Sequence, residues 1–176
     1  VILCESGAAC GIDVRGGGPA SRESELLRPT AAQDKIHALL LSGGSAFSLG
    51  AANGVMKYLS EKDIGFETGI KKVPLVCQSA LFDLGLGSAD AYPDEKMAYS
   101  ACKNTGNYRD GNYGAGTGAS VGKLLGSACA MKTGIGSFAV QTGKLKVGAI
   151  VAVNALGDVY ENGKIIAGLY NGEFLD

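Results

Sequence analysis

Asn154, Lys123 and the glycines of Gly114-Ala-Gly-Thr-Gly118 are the residues of this sequence best suited to handling negative charge. They lie within the 47 residues from Gly111 to Gly157, a stretch that contains no Asp or Glu. It carries Lys123, Lys132, Lys144 and Lys146, and is therefore +4 in a chain of net charge −1. Glycines expose backbone N–H groups, which form concave sites for anions. Asn154 follows the apolar run Val147 to Val153. An amide at a strand end can donate to a developing oxyanion, an interaction worth about 3 kcal/mol of barrier. Lys123, beside glycines and far in sequence from any acid, suits a lowered pKa or the orientation of a nucleophile. The charge handled is either a phosphate or the oxyanion of an acyl transfer. Plainer readings stand beside these: Asn154 as the start of a turn toward Gly157, Lys123 as a solvated helix residue, the glycine loop as a tight turn.

Nucleotide motifs fail on chemistry. Gly114-x-Gly116-x-x-Ala119 matches the loose dinucleotide fingerprint, but that fingerprint needs an acid about twenty residues later for the ribose. The acid-free stretch supplies none. Gly118-Ala-Ser-Val-Gly122-Lys123 resembles a phosphate-binding loop with its glycine spacing one short, and Leu124 stands where magnesium requires Ser or Thr. Ser48, in Ala46-Phe-Ser-Leu-Gly50, nearly matches a nucleophile elbow. The elbow orders its triad as Ser, acid, His, whereas the single histidine, His37, precedes Ser48. His37 reads as a strand-end or buried residue. Five cysteines, Cys4, Cys10, Cys77, Cys102 and Cys129, show no close pair, which reads as reduced thiols in a cytoplasmic protein. Neither a metal site nor a cofactor is expected.

The elements that must position these residues follow from periodicity. Ala38 to Leu41 reads as a buried strand ended by Ser42-Gly-Gly44, and Ser45 as the cap of a helix. Leu49, Ala52, Met56 and Leu59 recur on one face of that helix. Val73 to Cys77 reads as a strand, and Pro93-Asp-Glu95 as a second helix start, with Met97, Ala98, Ala101 and Cys102 as its apolar stripe. Ser137 to Gln141 and Leu145 to Val153 flank Thr142-Gly-Lys144. Val159-Tyr160 and Lys164 to Ala167 flank Asn162-Gly163, a strong hairpin signal. Strands and helices followed by hairpins give an α+β class.

The chain has 176 residues, enough for one domain that buries roughly 70% of its unfolded surface. Its 28 glycines are about twice the usual ~7%. They show no fixed period, which excludes a repeat. The near-neutral charge gives no general affinity for nucleic acid or anionic membranes. No apolar run approaches the ~18 residues of a membrane span. The chain begins inside a strand-like run, Val1-Ile-Leu-Cys4, and stops at Phe174-Leu-Asp176, so the expectation is a processed subunit or part of a gene product.

Several motifs occur together and in order: Cys10 to Gly18, Arg22-Glu23, Leu41-Ser-Gly-Gly-Ser-Ala-Phe47, Ala52-Asn-Gly-Val-Met56, Gly114-Ala-Gly-Thr-Gly118 with Gly122-Lys123, and Val151-Ala-Val-Asn-Ala155. In these the chain resembles the L-aminopeptidase/D-esterase (DmpA-like) family, which includes β-peptidyl aminopeptidases and endo-type 6-aminohexanoate-oligomer hydrolases. The resemblance implies an αββα layered sandwich made as a precursor that cuts itself to free a Ser or Thr at the start of a β chain. The new amine then acts as base for its own hydroxyl, with no histidine triad. By motif position it implies Asn154 as oxyanion-hole amide and Lys123 as active-site lysine. It further implies Gly44, Ser45, Phe82, Gly116 and Thr117 as substrate contacts. The substrate would be a peptide or short amide. Leu81-Phe-Asp83 looks closer to the oligomer-hydrolase branch. This chain would be most of the α chain, without an N-terminal strand region and the nucleophile-bearing β chain, and inactive alone. The partners implied are its own β chain and further αβ units in a tetramer. Two other functions remain open: acetyl transfer of the ornithine acetyltransferase type, which shares the fold and self-cleavage, and non-catalytic ligand binding by the glycine loop.

Overall fold

The computed structural model describes residues 1–175 and divides into two compact units. The first comprises Val1–Ala80 with Tyr92–Tyr108, the second Leu81–Ala91 with the chain from Arg109 onward. Strands and helices are mixed, in keeping with an α+β class.

The first unit is built on strands β1 (Ile2–Ala8), β2 (Ser21–Arg22), β3 (Ile36–Ser42) and, after helix α1 (Ala52–Glu61), β4 (Val76–Ala80). Helix α2 (Glu95–Lys103) completes it. The sheet order is β1-β3-β4-β2, with β3 and β4 parallel and the two outer pairs antiparallel. The central strand β3 is an almost continuous apolar run, as expected of a strand covered on both faces. Ala38 and Leu40 from β3, Val76 from β4, Ala52, Val55 and Leu59 from α1, and Ala98 and Cys102 from α2 form one buried cluster.

Local chemistry explains where the elements differ from expectation. The strand expected from Val73 pairs regularly only from Val76. Pro74 has no N–H to give, and the N–H of Leu75 is taken by Nδ1 of His37 at 3.1 Å. His37 is thus a buried strand residue, and burial lowers its pKa. Ser45 does not cap a helix with its hydroxyl. Gly44 and Ser45 both have positive φ, +82° and +53°, and the chain enters a 3-10 stretch, Ser45–Ala51, before α1 begins. Ser48, fully buried, donates to the carbonyl of Ser45 at 2.9 Å and lies 3.0 Å from the hydroxyl of Ser42. The expected start of α2 is shifted slightly. Asp94 is the cap, accepting from the N–H of Met97 at 2.8 Å, so Pro93 lies just before it.

The second unit contains two short strands, β5 (Ser120–Val121) and β6 (Met131–Lys132), paired antiparallel with Ser120 opposite Lys132. A long hairpin, β7 (Ile135–Thr142) and β8 (Leu145–Ala152), and a short one, β9 (Val159–Glu161) and β10 (Lys164–Ala167), follow. Asn162 and Gly163 both have positive φ, +50° and +76°, the backbone that a two-residue hairpin turn needs. The buried apolar residues are few: Ala115, Ala119, Val121, Ile135 and Leu169. Phe138, Val140, Leu145, Val147 and Val151 of the β7–β8 hairpin are exposed.

The closest packing in the first unit is at Gly54. A Cβ there would lie 1.9 Å from the carbonyl oxygen of Glu95, so α1 and α2 meet backbone to backbone. Gly54→Ala is expected to destabilise the protein by about 2 kcal/mol or more, because the helices must separate. Gly50→Ala, with open space at its Cβ and no positive φ, is expected to be neutral or stabilising by up to about 1 kcal/mol. Urea unfolding midpoints of the two variants check this, and similar midpoints would refute the helix contact.

Candidate active site

The second unit gathers its polar groups around Asn154, just beyond the end of β8. The carbonyl Oδ1 of its side chain accepts from Nζ of Lys123 at 2.8 Å and from the N–H of Ser120 at 3.1 Å. Its Nδ2 donates to the carbonyl of Phe82 at 2.6 Å. Because Lys123 Nζ and the Ser120 amide are donors only, the orientation of this side chain follows from its partners. One N–H of the amide is committed to Phe82.

Lys123 reaches Asn154 because the backbone carries it there. Gly122 has φ +68°, and a Cβ on it would fall 2.0 Å from the carbonyl carbon of Gly168, so only glycine fits. The N–H of Gly122 donates to Gly157 and that of Lys123 to Leu156, both at 2.8 Å, which runs this segment alongside the residues after Asn154. Lys123 Nζ also donates to the backbone carbonyl of Asn154 at 3.1 Å. Burial lowers the pKa of Lys123, and the carboxylate of Asp83 opposes that shift.

Lys132, on β6, makes a second cationic centre. Its ammonium donates to the carbonyl of Gly116 at 2.7 Å and to that of Thr133 at 2.6 Å. Burial lowers its pKa, again opposed by Asp83. The hydroxyl of Thr133 donates to the carbonyl of Val153 at 2.5 Å, adjacent to Asn154. Asp83 lies against Gly118, where a Cβ would be 2.1 Å from Oδ2. The glycine loop is equally tight. A Cβ at Gly116 would lie 2.3 Å from the amide nitrogen of Ile135, and one at Gly134 would lie 2.5 Å from the carbonyl oxygen of Gly111.

Of the residues expected from the sequence, Lys123 and Asn154 are in direct contact, and Phe82 joins them through its carbonyl while its ring is exposed. Gly116 is tied to Lys132, and Thr117, exposed, closes the 3-10 turn Gly114–Gly116 with its N–H on the carbonyl of Gly114. Gly44 and Ser45 belong to the first unit. There Gly44 packs against Tyr92, and Ser42, Ser48 and Gln78 form a buried hydrogen-bonded group beside them. Ser48, closed in this group, is unavailable as a nucleophile. The sequence reading passed over Asp83, Thr133 and Lys132 as site residues. Lys132 had one visible signal, its position in the acid-free stretch. Among the described residues no cluster of His, Cys, Asp and Glu could hold a metal ion, and no helix is long and apolar enough to cross a membrane.

The sequence profile of peptidase family S58 matches residues 2–175. The chain belongs to this family. It is thus a member of the L-aminopeptidase/D-esterase family whose motifs it carries. It is 38% identical over 164 residues to a protein of Mycobacterium tuberculosis, and equally to one of Mycobacterium bovis, each named an uncharacterized aminopeptidase. A Mycobacterium leprae protein of the same description is 36% identical over 170 residues. In each case 92% of this chain is aligned, but only 45% of the relative. The S58 chain described here therefore spans about half the length of these relatives.

Asp83 is expected to hold up the pKa of Lys123. Removing its charge leaves burial unopposed, so Asp83→Asn lowers that pKa further. Between the lowered native pKa and the ordinary lysine value the unfolded chain binds more protons, and stability contributed through Lys123 rises with pH across that window. Titration of the Lys123 Cε and Nζ resonances in both proteins measures the shift. An unchanged titration would remove Asp83 from the site.

Proposed function

We propose that this chain is most of the α chain of a self-processed N-terminal-nucleophile amidase acting on peptides or short amides. The observation that carries the reading is the Asn154 amide. Its orientation is fixed by Lys123, Ser120 and Phe82, with one N–H left over. A preorganised donor is what a tetrahedral oxyanion requires, since no reorientation is needed as charge develops. Membership of a peptidase family and the aminopeptidase names of the mycobacterial relatives support hydrolysis of amide bonds.

In this reading a Ser or Thr freed at the start of a second chain supplies the nucleophile. Its hydroxyl oxygen attacks the amide carbonyl while its own α-amine takes the hydroxyl proton. The carbonyl oxygen becomes an oxyanion that accepts from Asn154 Nδ2. Lys123 holds the amide's other end and contributes positive charge. As the intermediate collapses the C–N bond breaks and the leaving amine takes the proton. Water then attacks the acyl-enzyme by the same route and releases the acid. The second chain would also cover the exposed apolar side chains of the β7–β8 hairpin, where Phe138 is 75% exposed and Leu145 65%, and complete an αββα layered sandwich. Assembly of such αβ units into a cytoplasmic oligomer belongs to the same proposal.

The test begins with the complete gene product. Intact mass and N-terminal sequencing are expected to give two fragments, the second beginning with Ser or Thr. Asn154→Ala is expected to lower kcat about 10²–10³-fold on amide substrates, with a smaller change in KM. A single uncleaved mass would overturn the self-processing mechanism. Full kcat in the Asn154 variant would overturn the oxyanion role.

A further inference from the structure

We propose that Lys132 is a positioning residue of the site, its ammonium tying the Gly114–Gly118 loop to the strand end that carries Asn154. The inference rests on the amidase reading for its catalytic consequence, but the tie itself is geometric. Lys132 Nζ spans two carbonyls that belong to different segments, Gly116 in the glycine loop at 2.7 Å and Thr133 after β6 at 2.6 Å. Thr133 passes the connection on, its hydroxyl donating to the carbonyl of Val153 at 2.5 Å. The N–H of Val153 in turn donates to Gly134 at 3.3 Å. Lys132 also stands opposite Ser120 in the β5–β6 pair, and the Ser120 amide is one of the two donors that orient Asn154. The same residue therefore touches both routes by which Asn154 is held.

The chemistry of the tie favours a cation. Carbonyl oxygens accept more strongly from an ammonium than from a neutral donor, and both bonds here are short. A neutral side chain of similar length would leave two carbonyls without this donor, and they would turn toward water or other amides. Backbone hydrogen bonds shape the glycine loop locally, from Gly116 to Tyr113 and from Thr117 to Gly114, and Lys132 adds the side-chain tie that joins it to the segment after β6. Gly116 tolerates no Cβ beside Ile135. Asp83 lies against Gly118 and acts electrostatically on both Lys132 and Lys123. The carboxylate thus opposes the burial that lowers the pKa of both ammonium groups.

The experiment uses the complete gene product with Lys132→Met, Lys132→Arg and Thr133→Val, assayed on a chromogenic amino-acid amide well below the unfolding temperature. Lys132→Met is expected to reduce kcat by about tenfold to a hundredfold with KM within about twofold, since misplacing the oxyanion donor affects the transition state more than substrate binding. Lys132→Arg, which can donate to both carbonyls, is expected to recover most of that loss. Hydrogen–deuterium exchange is expected to rise in the Met variant locally, over residues 114–120 and 151–155. A Met variant that loses thermal stability but keeps kcat within about twofold overturns the proposal, as does equal loss of kcat in the Met and Arg variants. Should the Met variant not fold, Thr133→Val cuts the second link of the tie and carries the same expectation and the same refutation. If the parent protein hydrolyses no amide, the amidase reading fails by itself. The exchange pattern then decides the positioning role: a local rise supports it, and no change or a global rise refutes it.

Discussion

The site depends on a primary amide held at both ends. Oδ1 of Asn154 receives two donors that can be nothing else, an ammonium and a backbone N–H, and Nδ2 gives one proton to the carbonyl of Phe82. An Asn free to flip by half a turn would present donor and acceptor equally and would discriminate nothing. Fixing Oδ1 toward Lys123 commits Nδ2 to the other side. Each net hydrogen bond contributes only about 1 kcal/mol to stability, so the value of the arrangement is orientation rather than strength. Many of the glycines near the site can be understood as clearing the space for it. Gly122 lets Lys123 run beside the residues after Asn154, and Gly118 leaves room for Asp83.

The two units meet different demands with the same composition. In the first, small residues on α1 and α2 allow close helix approach, and the buried cluster of Ala, Val, Leu and Cys is shut from solvent. In the second, backbone packs against backbone, with Gly111, Gly116 and Gly134 within contact of each other's segments, and buried side chains are few. Hydrogen bonds there take the part that side-chain burial plays in the first unit. Burial is cooperative and non-directional, whereas hydrogen bonds fix angles. The orientation of the Asn154 amide rests on bonds of the second kind.

Sequence pattern carried most where periodicity or turn chemistry is local. Asn162-Gly163 specifies its hairpin, and the apolar run of β3 specifies a strand covered on both faces, because these depend on neighbours in the chain. Lys123 and Asn154 were legible as chemistry-bearing residues through their glycine and apolar contexts, while their contact was not, being thirty-one positions apart along the chain. Asp83 was invisible as part of the site for the opposite reason. It lies outside the acid-free stretch in sequence and beside it in space. Ser45 was misread as a cap since propensity for an oxygen-bearing side chain cannot foresee a positive φ, which here turns the chain into a 3-10 stretch instead. The strand expected at Val73 starts later because His37, distant in sequence, takes the N–H of Leu75.

The absence of acids from Gly111 to Gly157 now has a physical meaning beyond net charge. The acceptors identified for Lys123 and Lys132 are neutral: backbone carbonyls and one side-chain amide oxygen. Neutral acceptors orient an ammonium without cancelling its charge, so its field persists at the surface of the site. A carboxylate in direct ion pairing would hold either lysine as firmly and would remove that field. One acid close enough to influence both lysines, Asp83, offsets the cost of burying two like charges in one region. A second acid would cancel the charge of the remaining ammonium group. The composition of this stretch is therefore a constraint on the potential at Asn154, enforced by what is left out as much as by the lysines it contains.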